Sequence, residues 1–258
     1  MADDGGSSDT TVALMDLRGL ADAIDAELRV RATPGRAEQE KAYLKSRLEH
    51  HGTSVPAIRA VAKDVARQHP ALTHEDLVGL ADALWAMRVH ECRMVAVELL
   101  RLHDDRLGQQ DLSLFERLLR ESRTWALVDP LATAVVAPLL ERHPELGQVL
   151  DRWVADDDFW LRRAALLALL PALRRGEGDF ARFSAYADRT LEEGEFFVRK
   201  AVGWVLRDTA KRRPDLVYEW LLPRAHRASG VTVREAVKPM SEQQRAAILG
   251  AGDPSRLR

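Results

Sequence analysis

The sequence predicts an all-α protein, built as a curved solenoid of antiparallel helix pairs. A repeat is the first reason. Five stretches read as one helix opening written again: residues 55–61 (VPAIRAV), 91–96 (ECRMVA), 160–165 (WLRRAA), 197–202 (FVRKAV) and 232–237 (TVREAV). Stepping from Arg59 to Arg93 to position 127, then to Arg162, Arg199 and Arg234, the intervals are 34, 34, 35, 37 and 35 residues. A fixed period of this size marks helical units that bury their apolar faces against their neighbours. The second reason is apolar spacing of three and four residues almost throughout, with no alternating β pattern. The third is that the links, at Thr33-Pro34-Gly35, His51-Gly52-Thr53 and Gly176-Glu177-Gly178, are short turns.

The elements follow in order. An amphipathic helix is expected from Thr10 or Thr11 to Arg29, and another from Arg36 to Leu48. Thr73 reads as an N-cap with Asp76 three residues on, ahead of the stripe Leu77, Leu80, Ala81 and Leu84. Its partner carries Cys92, Val95, Ala96 and Leu99 inward. The next pair begins near Asp111, with Leu112, Phe115, Leu118 and Leu119 facing Val128, Ala132, Val135 and Val136. Pro144 opens a helix with Leu146, Val149, Leu150 and Trp153 on its apolar side. The acidic run Asp156 to Asp158 then suits the start of the helix bearing Arg162 and Arg163, where carboxylates oppose the positive dipole end. Phe180 and Phe183 precede a helix through residues 197–206, and Pro214 opens the last clear pair, with Val217, Trp220 and Leu221 inward.

Residues 1–10, acidic and rich in Gly and Ser, are expected to be a disordered tail. Residues 11–240 then form one domain and residues 241–258 a C-terminal extension. With 46% hydrophobic residues the chain can fill a core, yet no apolar run approaches the ~20 residues that span a bilayer. No secretory signal is visible, and a single cysteine, Cys92, fits a reducing compartment; a cytoplasmic monomer is expected. Cys92 sits on an apolar stripe and reads as a packed thiol. No phosphate-cradling glycine loop and no HExxH sequence occurs, so neither nucleotide cofactor nor metal is expected. His50 and His51, being adjacent, would point to different helix faces and chelate poorly. A net charge of -2 gives no overall pull towards nucleic acid. Equivalent positions of a solenoid nevertheless share one surface, so Arg59, Arg93, Arg162, Arg199 and Arg234 can line a basic track. The same arginines read equally well as repeat-stabilising partners of carboxylates on the neighbouring unit.

The repeat breaks at position 127, where the chain runs Trp125-Ala126-Leu127-Val128-Asp129. Trp125 and Asp129 share a helix face, one turn apart. Trp204 lies near the same helical level two units later. Asp129 precedes Pro130, which disfavours helical angles and predicts a helix start or kink there. An indole attracts cations, a carboxylate stabilises developing positive charge, and a guanidinium grips phosphate. Together they suit a cationic, N-alkylated nucleotide whose glycosidic bond breaks with charge forming on the sugar. The alternative is a core anchor and a cap that happen to be four residues apart.

Longer stretches carry a resemblance. They are Tyr43-Leu44-Lys45, residues 52–59, Leu84-Trp85 with Glu91 and Arg93, residues 125–129, Phe159-Trp160-Leu161-Arg162-Arg163-Ala164-Ala165, residues 195–207 and Arg234-Glu235-Ala236. In this order the chain resembles the AlkD family of bacterial DNA alkylation-repair glycosylases, whose fold is a solenoid of HEAT-like repeats. The resemblance implies excision of positively charged N3- and N7-alkylpurines from duplex DNA, without flipping the lesion into a pocket. It implies Asp129 as the catalytic carboxylate, Trp125 and Trp204 against the deoxyribose, and Arg163, or Arg162 one register away, on the DNA backbone. Thr124 and Ala126 stand where some members carry Trp and an acidic residue. Without an obvious Schiff-base lysine near the site, base release without strand cleavage is expected. The same chemistry on bulky natural-product adducts, or a non-catalytic DNA- or protein-binding scaffold, are the other readings.

Overall fold

A repeat whose units cannot bury their own apolar faces must stack, and the computed structural model, which describes residues 15–252, is a stack of helix pairs. Helix α1 (Leu17–Val30) is capped by Asp16, whose carboxylate accepts the Gly19 amide at 2.9 Å. This cap sets the helix start at Leu17 rather than at Thr10 or Thr11; residues 1–10, expected to be a tail, lie outside the described residues. Helix α2 (Arg36–Leu44) is shorter than expected. Lys45 takes left-handed angles (φ 49°) and the Ser46 hydroxyl then accepts the Leu48 amide, so the chain turns before Leu48.

Helix α3 (Val55–Gln68) starts with Ser54 as cap and Pro56 in its first turn. Gly52 just before it has φ 85°, and a side chain there would meet the Ala37 amide at 2.8 Å, so only glycine fits. Helices α4 (His74–Ala86) and α5 (His90–Leu102) follow. The first opens with the expected reciprocal Thr73–Asp76 capping box. Then come α6 (Leu112–Ser122), α7 (Trp125–Leu131), α8 (Ala137–Arg142), α9 (Gly147–Trp153), α10 (Phe159–Ala168) and α11 (Leu170–Arg174). Helices α12 (Phe180–Thr190), α13 (Phe196–Ala210), α14 (Pro214–Leu221), α15 (Gly230–Ala236) and α16 (Glu242–Ala251) complete the order. Among the described residues there is no named strand, and no helix is long and apolar enough to cross a membrane.

Helices α3, α5, α7, α10, α13 and α15 form one continuous row, each packed on the next. They are the helices that carry positions 59, 93, 127, 162, 199 and 234, so the period read along the chain is the period of this row. The core runs beneath it. Leu77, Leu80, Ala81 and Leu84 of α4 and Cys92, Val95, Ala96 and Leu99 of α5 are wholly buried. At about 1.5–3 kcal/mol for each large aliphatic side chain taken from water, such stripes hold the stack together. Between units the aromatic bridge is Trp160, whose ring lies 4.6 Å from that of Phe159 and 5.1 Å from that of Phe197. Gly203 lets α15 approach α13: a β-carbon there would lie 3.0 Å from the Thr232 backbone.

Candidate functional site

The site is built on α7, α10 and α13. Thr124 caps α7, its hydroxyl accepting the Ala126 amide, and Trp125 is therefore the first helical residue. Its ring is half-buried and meets the exposed Tyr43 ring edge-on at 6.1 Å. One turn on stands Asp129. Of the two outcomes the proline predicted, a helix start or a kink, the start is not seen at the Asp129-Pro130 step; the helix runs through Pro130 into a π turn at residues 132–136 and continues as α8. Proline supplies no amide for the regular bonding pattern, and the π turn follows directly. The Asp129 carbonyl accepts the Thr133 hydroxyl at 2.7 Å instead.

The Asp129 carboxylate receives a two-pronged guanidinium. Arg163 Nε donates to Oδ1 at 2.7 Å and Nη2 to Oδ2 at 2.8 Å. Nη1 of the same group donates to the carbonyl of Phe197, and its carbon lies 5.9 Å from the Phe197 ring centre. The side chains are 3% exposed for Arg163 and 13% for Asp129. Burial pushes the Asp129 carboxyl above its ordinary value, while Arg163 and, more weakly, Lys200 pull it down. Lys200 thus acts on this site electrostatically. Its ammonium sits 5.7 Å from the Phe196 ring centre. Phe197, Lys200 and Trp204 recur at three- and four-residue steps and share one face of α13. Trp204 is half-buried, and its indole N–H donates to Asp208 Oδ2 at 3.1 Å, which fixes the ring's orientation.

The periodic arginines meet protein partners. Arg59 Nε donates to Glu98 at 3.0 Å. Arg93 is buried; it donates to the carbonyls of Trp85 and Glu121 and lies 4.7 Å over the Trp85 ring. Arg162 bonds to Glu193 and to the carbonyls of Asp156 and Asp157. Arg120 adds a fork on Asp156 at 2.8 and 2.7 Å. Arg59, Arg93 and Arg162 thus hold neighbouring units together, the second of the two roles expected of these arginines. Arg199 is half-buried and Arg234 exposed. For Arg163, expected on the DNA backbone, the guanidinium is committed to Asp129 and Phe197. A one-residue change of register separates the two arginines of α10: Arg163 rather than Arg162 turns towards Asp129.

The basic surface near the site was not foreseen. Arg47, Arg88 and Arg123 are exposed and line a cleft of about 490 Å³ that ends at Thr124, with Arg93 and Arg120 in its wall. Arg88 and Arg123 both adopt left-handed angles, φ 57° and 49°, at the ends of α4 and α6. Helix ends of successive units bring these residues together, and their spacing along the chain follows no motif. A second cavity, about 210 Å³ and mostly apolar, opens between Tyr43, Met94 and Trp125.

Solved structures share this architecture. A protein from Enterococcus faecalis described as a predicted DNA alkylation repair enzyme superposes with a TM-score of 0.74 at 22% identity, over 82% of this chain and 98% of its own. AlkD2 from Streptococcus mutans superposes at 0.53 with 18% identity, over 86% of this chain and 98% of its own. At such identities they show the fold. No curated protein sequence matches significantly. The family described as DNA alkylation repair enzyme matches residues 24–240, which takes in the whole row from α3 to α15. The chain belongs to this DNA alkylation repair family.

Proposed function

We propose that the protein is a DNA glycosylase that hydrolyses the N-glycosidic bond of positively charged N3- and N7-alkylpurines in duplex DNA. The observation that carries this reading is the Asp129 carboxylate, largely withdrawn from water, held at both oxygens by Arg163, one turn from the half-exposed Trp125. In the reaction the C1′–N bond breaks and its electron pair leaves on the base, discharging the base's positive charge. Positive charge then develops on the sugar, where a fixed carboxylate in a poorly solvated site stabilises it most. Water adds to C1′ and gives its proton to the carboxylate, which passes it to solvent. The alkylated base leaves without protonation, so a second acid is unnecessary, unlike the two-carboxylate glycosidases. Trp125 and Trp204 offer ring faces to the sugar's polarised C–H groups.

Arg163 is a positioning residue in this scheme, and backbone phosphates are held by Arg47, Arg88 and Arg123. The half-exposed rings of Trp125 and Trp204 support contact with the sugar at an open face, and so excision without flipping. The cavity beside Tyr43 and Trp125 favours a second reading, in which the same chemistry serves a bulkier substituent.

The test is base release from a duplex carrying one N7-methylguanine, with Asp129→Asn as the variant and DNA binding and a thermal melt as controls. Release by the wild type and none by the folded, DNA-binding variant is expected. Release by both overturns the role of Asp129. No release by the wild type from this duplex, nor from one carrying a bulky N3-adenine adduct, while both are bound, leaves a scaffold.

A further inference from the structure

We propose that Glu40, His50 and Glu91 form a binding site for one zinc-class divalent cation behind the Trp125 cavity. The three residues come from α2, from the turn before α3 and from the first turn of α5. Each offers a ligand atom within 4.8 Å of the other two. One imidazole nitrogen and two carboxylate oxygens are a donor set that borderline cations such as zinc accept, with a fourth position left for water.

Four buried polar atoms at this site lack partners. Glu91 is fully buried, and its Oε1 accepts the amides of His51, Gly52 and Thr53 at 3.0, 2.7 and 3.2 Å. Its Oε2 has no partner. His50 is 9% exposed, and neither of its ring nitrogens has a hydrogen bond. The His90 ring stacks on it at 4.6 Å, 12° from parallel, and the His90 Nδ1 is unpartnered as well. Burying a polar group without a partner is costly, and four such atoms lie together here. A cation ligated by His50 and the free Glu91 oxygen would satisfy two of them directly.

The electrostatics agree. Two carboxylates this close in a partly dry site repel unless a cation lies between them, and the Arg36 contact on Glu40 Oε1 (2.5 Å) is on one oxygen of one of the two. Glu40 and His90 line the cavity that opens beside Trp125, which provides the route of entry.

The adjacent cluster of Asp25, His51 and Cys92 is different. Its His51 Nε2 and Asp25 Oδ1 lie 2.6 Å apart, and the Cys92 thiol and Arg29 Nε also donate to Asp25. These groups satisfy each other, and burial holds the thiol protonated. The expectation that His50 and His51 make a poor chelate together is consistent with this division, because the two rings serve separate clusters. His50 ligates with partners 10 and 41 residues away in the chain, which adjacency could not show.

The experiment is titration of chelator-treated full-length protein with Co2+, read by its visible absorption, followed by displacement with Zn2+. Glu40→Gln, on a part-exposed helix position, is the variant that keeps the fold. His50→Ala and Cys92→Ser complete the set, each with a circular dichroism spectrum. One equivalent bound by the wild type is expected, with affinity at least tenfold weaker in Glu40→Gln and His50→Ala and unchanged in Cys92→Ser. Zinc is also expected to raise the wild-type melting temperature and to leave that of Glu40→Gln unmoved. No saturable binding overturns the proposal and leaves a buried water between His50 and Glu91. Binding that survives Glu40→Gln, or that disappears in Cys92→Ser, overturns it as well.

Discussion

Arg163 and Asp129 join α10 to α7 through two parallel hydrogen bonds, and the same guanidinium reaches α13 through the Phe197 carbonyl. One side chain thus locks three consecutive helices of the row around the carboxylate. Breaking a buried pair from one side leaves the other charge stranded, at a cost of about 3–5 kcal/mol. Arg163→Ala is expected to lose stability of that order in a urea melt. Arg163→Lys keeps the charge but loses the planar fork, so base release should fall by about 10–100-fold through misplacement of Asp129. DNA affinity should change little, and a large loss of affinity would return Arg163 to the DNA backbone.

The pH dependence follows from the burial of Asp129. Its carboxyl is raised above the ordinary 3.8, and the ionised form does the work. Single-turnover base release should therefore fall on the acid side with an inflection above 3.8. In Arg163→Lys, where the stabilising fork is weakened, the inflection should move further up. The sign for stability is the reverse of the usual carboxylate case. A raised folded value means that Asp129 contributes stability below its unfolded value and loses it as pH rises through the folded one. Asp156 and Asp208, both lowered, contribute above their unfolded values and lose stability as pH falls.

Phosphate contacts should appear in the salt dependence of binding. Each backbone contact contributes about 0.9 to the slope of log K against log salt. Replacing Arg47, Arg88 and Arg123 together with alanine is expected to lower that slope by about 2–3. Replacing Arg59 and Arg162, which hold Glu98 and Glu193, should instead lower stability and leave the slope nearly unchanged.

Gly203→Ala tests the close approach of α13 and α15. The added methyl would meet Thr232 Cα and O at 3.0 Å and Glu235 Cβ at 2.9 Å, and neighbouring backbone cannot swing aside. Overpacking of this kind costs about 1–3 kcal/mol. A chemical melt should show it, and base release should fall too, because Trp204 is the next residue on the displaced helix.

Several elements were legible because their causes are local. The Thr73–Asp76 box, the Asp158 cap on α10 and the apolar stripes of α4 and α5 depend on residues within a turn or two of one another. Where helix ends differ from those the sequence predicts, a single backbone choice decides: Asp16 as the cap of α1, and Lys45 in left-handed angles after α2. Trp125 and Asp129 could be paired in advance because four residues make one turn. The Arg47, Arg88 and Arg123 cleft could not, since three helix ends from different units meet there.

What the chain determined alone is its period: an all-α array in which positions 34 to 37 residues apart fall on successive helices, with one unit carrying Trp and Asp where the others carry Arg. Only the tertiary structure decided which charges are occupied. Arg162 and Arg163 are neighbours of identical chemistry, yet one holds Glu193 and the other Asp129. The physical reason is angular. Successive helical residues point about 100° apart, so the partner of each depends on which helix packs against that face, a long-range arrangement that no local spacing encodes.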